Sequence, residues 1–291
     1  MRIDSHVHVL PPRRLAGLMR WIIKANPNHP VPGDIDADSI LRDLRENGFT
    51  HFFNFVYPLK LEETQSLNDF NIDFCSETPG AIPFGSTHQD DKDKPGIAAD
   101  LFERGCVGLK FHPFVQRFDP WDDRMDPLYR YLEEVRRPVF LHTGFEGFYR
   151  LSMPAARLAE MVAKYPKLPV VFVHMMFPDI EVAFKLLDDY PELTLDATNC
   201  FAPFRPEFKQ MLELWGSATK LRDIFFEGIC GHKGRVLIGS DHPAGMGTIE
   251  EIYRDVFEFG FPEDVLKSLL EDAPANFVKS FVPEYRFDNG L

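Results

Sequence analysis

The sequence predicts a single α/β domain of the (β/α)8, or TIM barrel, type. Eight short β-rich runs recur along the 291 residues, and segments with helical periodicity separate them. A barrel of this type uses about 200 to 250 residues as one domain, so the length fits. An open doubly wound sheet usually carries a glycine-rich phosphate turn after its first strand, and no GxGxxG or GxxxxGK(S/T) motif occurs here.

The predicted strands differ in character along the chain. From the fourth onward they are nearly continuous in apolar residues, as in VFLH and VVFVH, which is typical of parallel strands covered on both faces. We therefore expect them to lie in the centre of a sheet and not at an edge. The eight predicted strands are residues 1–4, 51–57, 81–87, 107–112, 138–142, 169–174, 193–197 and 235–240.

The predicted helices follow from apolar residues at three- and four-residue spacing. The clearest begin at Asp126, Ala155, Asp179 and Thr248, and a final helix covers residues 263–281. The longest stretch that we interpret as irregular is residues 10–35, which contains five prolines. We expect residues 1–291 to form one domain in which this loop insertion after the first strand could be a lid over the barrel mouth.

Composition excludes several classes of partner. The net charge of −13 disfavours binding to nucleic acid or to anionic lipid. The four cysteines are scattered without CxxC pairs, which argues against a disulfide framework and against a thiolate zinc site. No apolar run is long enough to span a membrane, and the charged residues near Met1 leave no room for a signal peptide. We expect a cytoplasmic protein that binds neither nucleic acid nor membrane, and we leave open whether it forms a homo-oligomer.

Polar side chains gather at the predicted carboxyl ends of the strands, where enzymes of this fold assemble their active sites. The first strand ends in DSHVH, and residues two apart in an extended chain project to the same side. Imidazole and carboxylate groups are the usual donors for Zn²⁺ and also suit iron, manganese, nickel and cobalt. The polar residues at the strand ends are His6, His8, Lys110, His112, His142, His174 and Asp241.

The ordered motifs DSHVH, GLKFHP, FLHT, VFVH and IGSDHP resemble the amidohydrolase superfamily, specifically its amidohydrolase-related, or family 2, branch. That branch includes metal-dependent hydrolases and decarboxylases, and the resemblance extends to DAPANFVKSF near the end of the chain. It implies that His6, His8, His142 and Asp241 bind metal and that Asp241 also transfers protons. It further implies that His174 either binds a second metal ion or acts as an acid or base beside a single one.

Lys110 leaves two alternatives open. In two-metal members of the family a lysine on the fourth strand is carboxylated by CO₂ and bridges the ions, and GLKFHP resembles the motif around it. That modification needs a neutral amine, so burial and nearby cations must first lower the lysine pKa. An unmodified, charged Lys110 could instead bind a substrate carboxylate beside one metal ion. The expected cofactor is thus one or two divalent ions, with zinc favoured.

Two activities from different enzyme classes follow. In the first, a hydrolase activates water at the His and Asp site to cleave an amide, lactone or ester of a small carboxylated or aromatic molecule, and Asp241 accepts the proton. The alternative is a non-oxidative decarboxylase of an aromatic or unsaturated acid, which uses nearly the same ligands and is favoured by an unmodified Lys110. A purely structural ion is disfavoured, because structural zinc sites are closed tetrahedra.

Further residues are candidates for contact with substrate. We expect His112 to face the same side as Lys110 and to bind substrate. An equally good interpretation is that His112 is a polar loop residue with no role in binding. Arg13, Arg14, Arg117 and Arg150 fall in predicted rim loops, where guanidinium groups could recognise a carboxylate. The phenylalanine-rich segments FHPF, FEGF and FAPF could line an apolar pocket.

Overall fold

A computed structural model describes residues 1–208, 211–212, 218–287 and 290–291. Its eight strands form one parallel sheet in chain order, which confirms the predicted barrel. The strands are β1 (Ile3–Val7), β2 (His51–Phe55), β3 (Ala81–Gly85), β4 (Gly108–Phe111), β5 (Val139–His142), β6 (Val170–Val173), β7 (Leu193–Asp196) and β8 (Val236–Leu237).

Backbone hydrogen bonds between β1 and the chain after β8 bring the two ends of the sheet together. Asp241 N donates to His6 O at 2.8 Å, and His8 N donates to His242 O at 2.9 Å. Val7 also forms a parallel bridge with His242. We call these paired segments the β1–β8 seam. The seam places the histidines of the first strand beside residue 241.

Helices follow most of the strands and cover the outside of the barrel, as expected for alternating strands and helices. No helix in the described ranges combines the length and apolar character needed to cross a bilayer. The α-helices with described bounds are α1 (Pro12–Ala25), α2 (Ala37–Glu46), α3 (Thr64–Glu77), α4 (Lys94–Glu103), α5 (Pro113–Gln116), α6 (Asp126–Val135), α7 (Glu146–Tyr149), α8 (Ala155–Lys164), α9 (Ile180–Asp189), α10 (Ala218–His232), α11 (Ile249–Glu258), α12 (Glu263–Lys267) and α13 (Ala273–Phe281).

The predicted final helix, residues 263–281, is confirmed as α12 and α13 joined by a π-helical turn at Ser268–Asp272. The interpretation of residues 10–35 as irregular is wrong for about half of that stretch, because α1 occupies Pro12–Ala25. Pro12 is the first residue of this helix, where the missing N–H of proline costs nothing. Two of the five prolines, Pro11 and Pro12, therefore mark the start of a helix, and the other three follow its end.

Aromatic side chains fill the barrel interior below the strand ends. The rings of Phe55, Phe84 and Phe140 pack with centroid distances of 4.8 to 5.1 Å. Phe277 of α13 continues this cluster, 5.5 Å from Phe140. The result is an apolar floor, and the ring of Phe55 also contacts that of His6 at 4.8 Å. Polar groups above this floor are consequently shielded from water on one side.

Gly239 lies where the seam leaves no room for a side chain. A Cβ at this position would lie 2.4 Å from the His6 N and 2.8 Å from its Cα. We expect Gly239→Ala to lower the free energy of unfolding by about 1 to 3 kcal/mol, because the backbone of β1 must move. Gly231→Ala in α10 is the matched control, since its Cβ would meet nothing within 4 Å outside its own helix.

Urea denaturation of both variants measures this difference. The control should keep the wild-type stability or gain up to about 1 kcal/mol, because alanine is the better helix former. A Gly239→Ala protein as stable as the control would contradict the close approach of the two strands.

Candidate metal centre

His6 and His8 point to a common position at the carboxyl end of β1. The strand is longer than predicted, Ile3–Val7 instead of residues 1–4, so that His6 lies within it and His8 follows it. Nε2 of His8 is 3.2 Å from Asp241 Oδ1, and Nε2 of His6 is 3.5 Å from the same oxygen. One ligand atom from each of the three residues lies within 4.8 Å of the others. This group is a candidate metal site.

The donor set of this group fits a divalent cation. Burial, together with the nearby charge of Lys110, lowers the pKa of His6, and the charge of Asp241 opposes this effect. Burial alone would raise the pKa of Asp241, but the adjacent His6 and His8 outweigh that effect and hold it below its usual range. Neutral imidazoles beside an ionised carboxylate are the donors that zinc, iron and manganese take in proteins.

Asp196 supports His6 from the side opposite the site. His6 Nδ1 donates to Asp196 Oδ2 at 2.7 Å, and both side chains are buried. Thr198 donates to Asp196 Oδ1 from its N at 2.8 Å and from its hydroxyl. Sequence reasoning missed Asp196, although LTLD ends a predicted strand in a carboxylate at the same rim as the other candidates. The position of Asp196 near the end of a predicted strand was the signal that could have identified it.

His142 and His174 lie beside the three-residue group. Their rings are 4.4 Å apart, and the ring of His174 stacks on that of His6 at 5.8 Å. Thr198 O accepts a hydrogen bond from His174 Nδ1 at 2.7 Å. The Nε2 of His142 is buried and has no hydrogen-bond partner in the described part of the chain. A buried nitrogen without a partner is unfavourable, and a bound ion would supply one.

Lys110 is fully buried and lies against the same atom of His6 that faces Asp241. Its Nζ is 3.3 Å from His6 Nε2 and 4.9 Å from the centre of the Phe55 ring. Burial lowers the pKa of Lys110 to about 8, although the charges of Asp196 and Asp241 oppose this. The neutral amine that carboxylation requires is thus accessible near neutral pH.

His112 lies at the site, and its side chain already contacts two neighbouring residues. Its Nε2 lies 3.1 Å from the hydroxyl of Tyr149, and its ring stacks on His142 at 3.7 Å. Tyr149 ends α7, in the loop after β5, and sequence reasoning did not single it out. Its ring also stacks on Phe114 at 4.8 Å. The substrate-binding role of His112 stays a prediction, and Tyr149 joins it as a polar group near the site.

A cavity of about 1230 Å³ opens above these residues. Arg13 and Arg14 line it, whereas the other two predicted rim arginines do not. Among the phenylalanines of the three phenylalanine-rich segments, only Phe145 and Phe148 of FEGF line the cavity. Much of α1 also lines the cavity, so this helix lies at the barrel mouth. The predicted ligands therefore open onto a space large enough for a substrate.

Known structures share this architecture at low sequence identity. An uncharacterised TIM-barrel protein from Bordetella bronchiseptica is 14% identical with a TM-score of 0.69, covering 96% of this chain and 99% of that one. A Pseudomonas putida protein assigned as a 2-pyrone-4,6-dicarboxylic acid hydrolase is 16% identical with a TM-score of 0.65, and 98% of each chain is covered.

A third similar structure is the 5-carboxyvanillate decarboxylase of Novosphingobium aromaticivorans, in complex with manganese and 4-hydroxy-3-methoxy-5-nitrobenzoic acid. It is 13% identical with a TM-score of 0.62, and 96% of each chain is covered. At these identities the likeness shows the fold alone. No curated protein sequence matches the chain.

Residues 3–275 match the sequence model of amidohydrolase family 2, whose description is amidohydrolase. The match runs from β1 into α13 and includes every candidate ligand described above. On this evidence the chain belongs to amidohydrolase family 2, a family of metal-dependent enzymes.

Proposed function

We propose that this enzyme is a metal-dependent hydrolase that cleaves an amide, lactone or ester bond in a small carboxylated or aromatic molecule. The observation that carries the proposal is the position of Asp241, whose Oδ1 lies within 3.5 Å of Nε2 of both His6 and His8 at the base of a large cavity. This geometry joins an ion-binding group to a proton acceptor that faces space for a substrate.

The residues that would hold the ion are His6, His8, His142 and Asp241. His174 lies next to them. When bound, a divalent ion would supply Lewis acidity and lower the pKa of water at the site toward the neutral range. Zinc is the favoured ion because the donors are mostly imidazole nitrogens. Manganese or iron would suit the same donors.

The two carboxylate oxygens of Asp241 make different contacts. Oδ2 accepts a hydrogen bond from Asn199 Nδ2 at 2.9 Å, and Asn199 is itself fixed because its Oδ1 accepts from Met246 N at 2.9 Å. Oδ1 faces the imidazoles. The lowered pKa keeps the carboxylate ionised, although it also makes Asp241 a weaker base. In the proposed reaction Asp241 accepts a proton from water and returns it to the leaving group.

Two tyrosines near the base of the cavity are candidates for binding a substrate oxygen. Burial raises the pKa of both Tyr57 and Tyr149, so both phenols stay protonated and can donate a hydrogen bond. Tyr149 also joins His112 to this set through their 3.1 Å contact. We propose that these groups orient the substrate carbonyl or carboxylate.

A second activity, non-oxidative decarboxylation of an aromatic or unsaturated acid, is favoured by Lys110. Its Nζ has no carboxylate within 4 Å in the described part of the chain, and its hydrogen-bond partner is His6. A charged Lys110 would therefore be available to pair with a substrate carboxylate. In that mechanism Asp241 or His174 would deliver the proton to the carbon that loses CO₂.

Metal removal tests the general proposal. Exhaustive chelation should abolish turnover of responsive lactones, aryl esters or amides, and zinc or manganese should restore it. His6→Ala and Asp241→Asn should each lower kcat at least about 100-fold, whereas His232→Ala on the surface of α10 should have no effect. Hydrolysis incorporates labelled oxygen from solvent into the product, whereas decarboxylation releases CO₂ and incorporates solvent deuterium at carbon. Full activity without bound metal would refute the proposal.

Asp196→Asn tests the support behind His6. A neutral amide is a weaker acceptor for His6 Nδ1, so we expect affinity for zinc to fall about 10- to 100-fold while the thermal unfolding midpoint stays near that of the wild type. Competition with a chromophoric chelator measures this affinity. The control is Asp188→Asn, which alters a similar Asp–His pair on the surface, 2.8 Å from His232. Equal zinc affinity in both variants would remove Asp196 from the centre.

Labelled bicarbonate separates the hydrolase from the decarboxylase. If Lys110 is the carboxylated bridge, metal-loaded protein should show a carbamate carbon signal in NMR spectra. That signal should vanish in Lys110→Gln and persist in Lys94→Gln, a control at another largely buried lysine. No carbamate in the wild type would contradict the bridging role and favour the one-metal decarboxylase.

A further inference from the structure

The cavity extends along helices that the proposed chemistry does not use. Leu18 and Ile22 of α1 and Leu67 and Phe70 of α3 line the same cavity as the candidate ligands. Its volume of about 1230 Å³ exceeds the roughly 300 to 1,000 Å³ that is usual for small-molecule sites. A molecule that only reached the candidate ligands would leave this apolar part unfilled.

Basic side chains line the same cavity, on α1 and just before α3. Glu63 Oε2 lies 3.9 Å from an Arg14 guanidinium nitrogen and accepts from Leu59 N at 2.9 Å. Arg13 and Lys60 also line the cavity, and neither has a carboxylate within 4 Å in the described ranges. The chain as a whole has a net charge of −13, so this local excess of positive charge is opposite in sign to that of the protein. An excess of one sign of charge at a cleft attracts ligands of the other sign.

We propose that the cavity binds an amphipathic anion. The reacting group of this molecule lies at the candidate metal centre, its apolar body contacts α1 and α3, and a separate anionic group contacts Arg13 and Lys60. This inference rests on the proposed function for the placement of the reacting group. It adds to that function a substrate class that is larger than a single aromatic acid and carries an anionic group besides the reacting one.

Two fluorescent probes of the same aromatic framework test the idea. 1-Anilinonaphthalene-8-sulfonate is an amphipathic anion, and N-phenyl-1-naphthylamine lacks its sulfonate. We expect the wild-type protein to bind the anionic probe about tenfold more tightly than the neutral one, the size of effect expected from two exposed charge contacts. The Arg13→Gln/Lys60→Gln protein should lose this preference and keep its affinity for the neutral probe.

Two further variants complete the test. Lys24→Gln removes a cation from the same helix, α1, at a position that does not line the cavity, and should leave both affinities unchanged. Leu18→Gln should weaken both probes, because it places an amide in the apolar wall. Thermal unfolding of each variant shows whether it is folded.

Equal affinity of the wild type for the two probes would overturn the proposal, as would an anionic preference that survives the double substitution. Zinc affinity, measured on the same preparations, separates this inference from the proposed function. Protein that binds zinc but does not discriminate between the probes contradicts this inference alone. Protein that discriminates between the probes but binds no divalent ion contradicts the proposed function and leaves the amphipathic cavity standing.

Discussion

Two of the backbone hydrogen bonds of the β1–β8 seam join Asp241 N to His6 O and His8 N to His242 O. Because these bonds are between backbones, they set the distance from the imidazoles to Asp241 without relying on flexible side chains. They also hold Asp241 in the left-handed region, at φ 58°, a conformation that costs a non-glycine residue about 1 to 2 kcal/mol. Closure of the barrel is therefore the condition on which the candidate metal centre depends.

A second constraint acts behind the imidazoles. The Nδ1 atoms of His6, His8 and His174 contact fixed oxygens of Asp196, Phe55 and Thr198. A carbonyl oxygen can only accept, so Nδ1 carries a proton in His8 and His174, and in a neutral imidazole with that tautomer the Nε2 lone pair is available to a metal ion. Such support fixes both the tautomer and the ring orientation of a ligand, and it satisfies polar groups that would be costly to bury.

The sequence predicted the features that are local. Two histidines two residues apart share one side of a strand, and apolar runs such as VVFVH end at the barrel rim wherever the strands are parallel. Asp196 was missed because only barrel closure places it behind His6, and a strand-terminal aspartate alone has no distinctive pattern. Helix α1 was missed because prolines near its start were read as loop signals. The missing information was the position of Asp196 in the tertiary structure and the position of the prolines within the helix.

The protonation or carboxylation state of Lys110 distinguishes the two proposed reactions. Its Nζ lies 3.3 Å from His6 Nε2, the lone pair that a metal ion needs, and one lone pair cannot both accept from an ammonium and coordinate an ion. Two unit positive charges about 4 Å apart also repel by about 4 kcal/mol at the effective dielectric of a protein, and a divalent ion carries twice the unit charge. Lys110 must therefore lose its proton, move away or become an anionic carbamate when the centre is loaded. A carbamate would add a negative ligand and suit two ions and hydrolysis, whereas a displaced ammonium would suit a substrate carboxylate. The two proposed reactions therefore differ in the state that each requires of this one nitrogen.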